Sequence, residues 1–97
     1  MLQTLAVQNI VQIIVEHQKA IIGPLAIEQA QKVPGIKIGM GDKIEVESSQ
    51  NNASIILSSL VKKYEELFGL ASVEVCKDAI KELKPQISAS DLPDILR

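Results

Sequence analysis

The side chains best equipped for chemistry in this 97-residue chain are its single histidine, His17, and its single cysteine, Cys76. His17 follows Glu16, and a carboxylate neighbour suits an imidazole to acid–base or pH-sensitive roles. General acid–base catalysis also needs positioned partners, and the sequence spaces none around His17. An ordinary histidine near the end of a helix, where the dipole favours a cation, accounts for it more simply. Cys76 falls in the spacing Val73, Cys76, Ile80, Leu83, which is the apolar period of a helix. A reactive thiol wants an electropositive, accessible setting, and only Lys77 beside it hints at one. The expected role is a small buried apolar residue.

One histidine and one cysteine fall short of the three or four nitrogen and sulfur ligands of a zinc site, so no metal site is expected. Glu45 and Glu47 share a face if their segment is a strand, but calcium takes six to eight oxygens and no loop here has that density. Gly35, Gly39 and Gly41 with Lys43 invite comparison with a phosphate loop. That motif needs Gly-Lys-Ser/Thr leading into a helix, whereas Gly41-Asp42-Lys43-Ile44 leads into a strand-like run. A turn with glycines is the expectation. No catalytic constellation and no cofactor motif emerge, and the chain is expected not to be an enzyme.

Composition narrows the partners. Ten Lys plus Arg stand against twelve Asp plus Glu, a net charge of −2, so there is no basic surplus to displace counterions from phosphates. Tyr64 and Phe68 are the only aromatics on which single-stranded bases could stack. Nucleic acid is not an expected partner. No Lys or Arg precedes Lys19, and Gln8, Asn9 and Gln12 interrupt the first apolar run, so neither a secretory signal nor a membrane span is expected. A lone cysteine fits the cytoplasm better than an oxidising compartment.

These residues need elements to hold them. Residues 2–19 read as a first helix, apolar over much of its circumference through Leu2, Leu5, Ala6, Val7, Ile10, Val11, Ile13, Ile14 and Val15. Gly23 and Pro24 punctuate, and Pro24 suits the first turn of a second helix over 24–33, which Pro34 and Gly35 stop. The period changes to alternation across Ile36, Lys37, Ile38 and again across Ile44, Glu45, Val46, Glu47. Gly39 to Asp42 lies between as a turn, which predicts a β-hairpin over 36–47. After candidate caps in Ser48 to Asn52, residues 52–68 carry the helical stripe Leu57, Leu60, Val61, Tyr64, Leu67, Phe68, with Gly69 at the left-handed stop. A fourth helix over 72–84 has Ser72 as its expected cap and Pro85 as its end. In the tail 86–97, Leu92, Ile95 and Leu96 predict a short helical turn that docks on something.

The expected fold is therefore mainly α: one domain spanning residues 1–97, with four helices, a hairpin between helices two and three (formally α+β), and a C-terminal helical turn. A domain this small leaves part of its apolar surface uncovered, and the first helix looks over-apolar for a monomer. An isologous homodimer burying that helix through Ile10 and Ile14 follows as the expectation. The functional expectation is a small cytoplasmic protein-interaction or regulatory module, with Leu92, Ile95 and Leu96 as further interface candidates. The alternative is a sensor of a small apolar ligand, with His17 or Tyr64 supplying polar contacts in an aliphatic pocket.

Overall fold

The computed structural model describes residues 4–39, 41, 43–46, 53–83, 92 and 94–96. Helix α1 runs Thr4–Ile22, α2 Leu25–Gln31, strands β1 Ile36–Ile38 and β2 Ile44–Val46 form the hairpin, and helices α3 Ala53–Phe68 and α4 Leu70–Lys81 follow. A 3-10 turn at Asp94–Leu96 comes last. The mainly α architecture with a hairpin between the second and third helices is the one the periodicities predict. Residues 2–3, the caps at 48–52, Pro85 and most of the tail lie outside the described residues.

α1 organises the core. Val7, Ile10, Val11, Ile14, Val15 and Gln18 are all buried, which is a single stripe at helical spacing rather than an all-round apolar surface. α2, α3, α4 and β2 all pack against this helix. Ile10 and Ile14, the residues expected at a dimer contact, are fully enclosed within one chain. Outside the stripe, Ile13 is half-buried and Ile21 stands 63% exposed. α1 also outlasts its expected end by one turn. Gly23, at φ 66°, stops it by donating its N–H to the Lys19 carbonyl at 2.9 Å.

The hairpin pairs Ile36 with Val46, Lys37 with Glu45 and Ile38 with Ile44. Ile36, Ile44 and Val46 are buried, while Lys37 and Glu45 face solvent as a cross-strand pair of opposite charge. An isolated hairpin is marginal in water, and this one lies on α1 and α2.

In α3, Ile56, Leu57, Leu60, Val61 and Tyr64 are buried, but the stripe does not finish as its period predicts. Leu67 and Phe68 are 44% and 45% exposed. The reason is the junction: Gly69 takes φ 69°, its N–H caps α3 on the Glu65 carbonyl at 2.7 Å, and α4 begins at once from Leu70. Ser72 is therefore not the cap of α4. It is buried in the first turn, and Gly69 both ends one helix and starts the next. The wet face of α4 carries the spaced pairs Glu74–Lys77 and Asp78–Lys81 at 3.9 and 3.8 Å. The C-terminal turn packs on α3 and α4, with Leu92 and Leu96 buried and Ile95 half-buried, so this segment docks in cis.

Candidate functional site

His17 is half-buried on α1, and its neighbour in space is not Glu16. Its Nε2 lies 2.6 Å from a carboxylate oxygen of Glu82, just past the end of α4. Glu16 instead accepts a hydrogen bond from Nε2 of Gln12, one turn earlier, at 3.3 Å. Because α1 continues to Ile22, His17 does not sit in the last turn, and the helix-end explanation gives way to a tie between two helices. An imidazole on a carboxylate can hold or pass a proton, but it needs a reacting group beside it.

Cys76 does not supply one. It is fully buried, and its Sγ accepts a hydrogen bond from Nε2 of Gln18 at 3.5 Å. Burial pushes the thiol up to about 11, with the Gln18 hydrogen bond working weakly the other way. The thiolate that nucleophilic chemistry requires is thus suppressed at neutral pH. Nε2 of Gln18 also donates to the Ser72 carbonyl at 3.1 Å, so this buried amide holds the α1–α4 seam together.

Tyr64 is fully enclosed, and its hydroxyl donates to the Ala26 carbonyl of α2 at 2.8 Å. Burial first, and Cys76 second, push its phenol well above the ordinary range. Its polar tip is committed to the fold, and it is not placed to greet a ligand. Ile10, Ile14, Leu92 and Leu96 are core residues in the same sense.

Among the described residues, two places remain open. The first is a cleft of about 260 Å³ between α1 and the hairpin. Gln12, Glu16 and Lys19 line it from one face of α1, Gly41 and Lys43 from the hairpin, and Val15, Ile27 and Ile44 supply its aliphatic part. The second is the corner between α3 and α4, where Leu67, Phe68 and Leu70 stand exposed around Gly69, Leu70 at 74%. The helical period puts Leu67 and Phe68 on the core face, and the glycine turn by itself gives Lys43 no part in a site. The helical period predicts which residues share a face, but not where the covering element stops.

Among the described residues, no group of three or more His, Cys, Asp or Glu is placed to hold a metal ion, and no helix is long and apolar enough to cross a membrane. The chain matches no known protein family, no curated protein and no solved structure.

Proposed function

We propose that this chain is a non-catalytic protein-interaction module of the cytoplasm, regulatory in character, which self-associates as a homodimer through the α3–α4 corner. The observation that carries the reading is the exposure of Leu67, Phe68 and Leu70 within four consecutive residues, whereas the exposed Ile21 and Ile55 each stand singly in the sequence. Single exposed apolar residues are ordinary on protein surfaces, whereas a contiguous group of large ones marks a contact site. An aromatic flanked by leucines is also the composition of an interface centre rather than its rim. A two-fold contact, corner on corner, is the simplest way for one such patch to cover itself. The compartment rests on the single cysteine, which is buried as a thiol.

The absence of catalysis rests on the closed groups. His17 is tied to Glu82, Cys76 is buried and held protonated, and the Tyr64 hydroxyl is hydrogen-bonded inside the core. A sensor built on an aliphatic pocket around Tyr64 has less support, because that residue is packed at zero exposure.

Sedimentation equilibrium tests the proposal. The wild-type chain is expected to approach twice its 10.6 kDa mass as concentration rises from micromolar to millimolar. Leu70→Glu is expected to hold it at a single mass with unchanged thermal stability, since Leu70 contributes little to the core. A wild type that stays at 10.6 kDa throughout would refute the homodimer.

A further inference from the structure

The helices that meet at the α3–α4 corner are joined by a single residue: α3 ends at Phe68 and α4 begins at Leu70. Connections between paired helices usually take about two to five residues. Gly69 manages alone by adopting φ 69° and ψ −156°, a conformation that glycine takes readily and other residues do not. No side chain caps the start of α4, and a Cβ on Gly69 would meet nothing within 4 Å. Glu66 through Ala71 are all exposed, so the junction lies on the surface and not under another element.

The bend interrupts the helical ladder at one point only. The Gly69 N–H still reaches the Glu65 carbonyl at 2.7 Å, so α3 is continuous up to the glycine. Turning Gly69 alone to helical angles would bring the N–H groups of Leu70 and Ala71 to the carbonyls of Glu66 and Leu67, groups that helix ends leave without a helical partner. The product is one helix over 53–81. That helix carries α4 away from its own α1, where the Gln18 amide donates to the Ser72 carbonyl and the Cys76 sulfur. A second copy of the chain offers the same α1 and restores both contacts.

We propose that Gly69 is a hinge through which two copies of this chain exchange α4. The inference rests on the homodimer proposed above and says how its halves are joined. The C-terminal turn packs on α4 and travels with it. On the straightened helix Leu67, Leu70 and Ala71 share one face at spacings of three and four, and two such helices crossing at the hinge cover it. The exposed apolar residues thus stand where an exchanged dimer makes a contact that the monomer lacks. Short connections held in a strained conformation favour such an exchange. Dilution restores the closed form, because α4 then meets its own α1 at a higher effective concentration than any other.

The test is a filtered NOE measurement on nitrogen-labelled and carbon-labelled full-length chains refolded together at millimolar concentration. A cross-peak is expected between the Gln18 side-chain amide of one label and the Cys76 β protons of the other. A dimer without it would overturn the exchange and leave the corner contact standing, whereas a chain that stays monomeric would overturn both. Gly69→Ala is expected to dimerise at least about tenfold more tightly, since alanine suits the helix and not the bend. Gly23→Ala is the control. Gly23 also has a positive φ, but Pro24 beside it bars a continuous helix, so that variant is expected to lose thermal stability without gaining dimer. A Gly69→Ala chain that loses stability and dimerises no better than wild type, or equal dimerisation by the two variants, would also overturn the proposal.

Discussion

Helix α4 takes part in two boundaries of opposite character. Along its length it closes on α1, where Cys76 is fully buried and even the polar Gln18 is sealed at 1% exposure with its amide hydrogen-bonded twice. At its first residue it opens, and Leu70 stands 74% exposed beside Leu67 and Phe68. The seam takes in a polar residue and satisfies it; the corner leaves three of the chain's large apolar residues in water. Hydrophobicity alone thus does not decide what is core. The decision lies in whether another element reaches the residue, and at Gly69 the chain turns before one can.

The largest expected effect contrasts the two boundaries directly. Ile14→Ala removes a fully enclosed side chain from the seam side and is expected to destabilise by about 2–5 kcal/mol, the range for cavity-forming truncations. Leu70→Ala, chemically as large a truncation, is expected to stay within about 0.5 kcal/mol in the monomer, as exposed substitutions do. Urea unfolding of both variants at low protein concentration measures the difference, and equal losses would erase the distinction.

Next comes a pH effect confined to the seam. Cys76 is raised from an ordinary 9.0 to about 11. The unfolded thiol therefore ionises at lower pH than the folded one, so the stabilisation is fully present below pH 9 and is lost as pH rises through 11. A shift of this size corresponds to about 2–3 kcal/mol. Burial acts on Tyr64 in the same direction, with the loss of stability beginning above the ordinary phenol value of 10.0. Unfolding free energies measured from below pH 9 to pH 10, before Tyr64 of the unfolded chain ionises, are expected to fall in wild type and to flatten in Cys76→Ala. A variant with the full wild-type slope would show that the thiol is not the sensitive group.

A smaller effect is expected from Tyr64→Phe, which deletes the hydroxyl bond to the Ala26 carbonyl while keeping the ring. The loss should be about 1 kcal/mol, the usual net worth of one hydrogen bond, read as a lower urea midpoint with an unchanged slope. No loss at all would mean that α2 is held to α3 by packing alone.

Much of this arrangement was legible in the residues. Alternation at Ile36–Ile38 and Ile44–Val46 announced the hairpin, and the periods of Leu57 to Tyr64 and Val73 to Ile80 announced α3 and α4. Gln18 could have been read as core, since it continues the spacing of Val7, Val11 and Ile14, but its amide argued for the surface. The cap assigned to Ser72 failed because a glycine at positive φ needs no side-chain cap to turn one helix into another. The His17–Glu82 tie and the Lys43 side of the cleft join residues far apart in the chain, and local periodicity carries no information about such pairs. The same holds for the coverage of α1, where the number of apolar residues suggested a partner copy and the packing supplied α2, α3, α4 and β2 instead.

The claim that the working surface is the α3–α4 corner and not α1 is tested most directly by a dilution series on the wild-type chain with labelled Leu and Ile methyl groups. The account predicts concentration-dependent shifts at Leu67 and Leu70 and none at Ile10 and Ile14. Shifts at Ile10 and Ile14, or a spectrum that does not change with concentration at all, would contradict it.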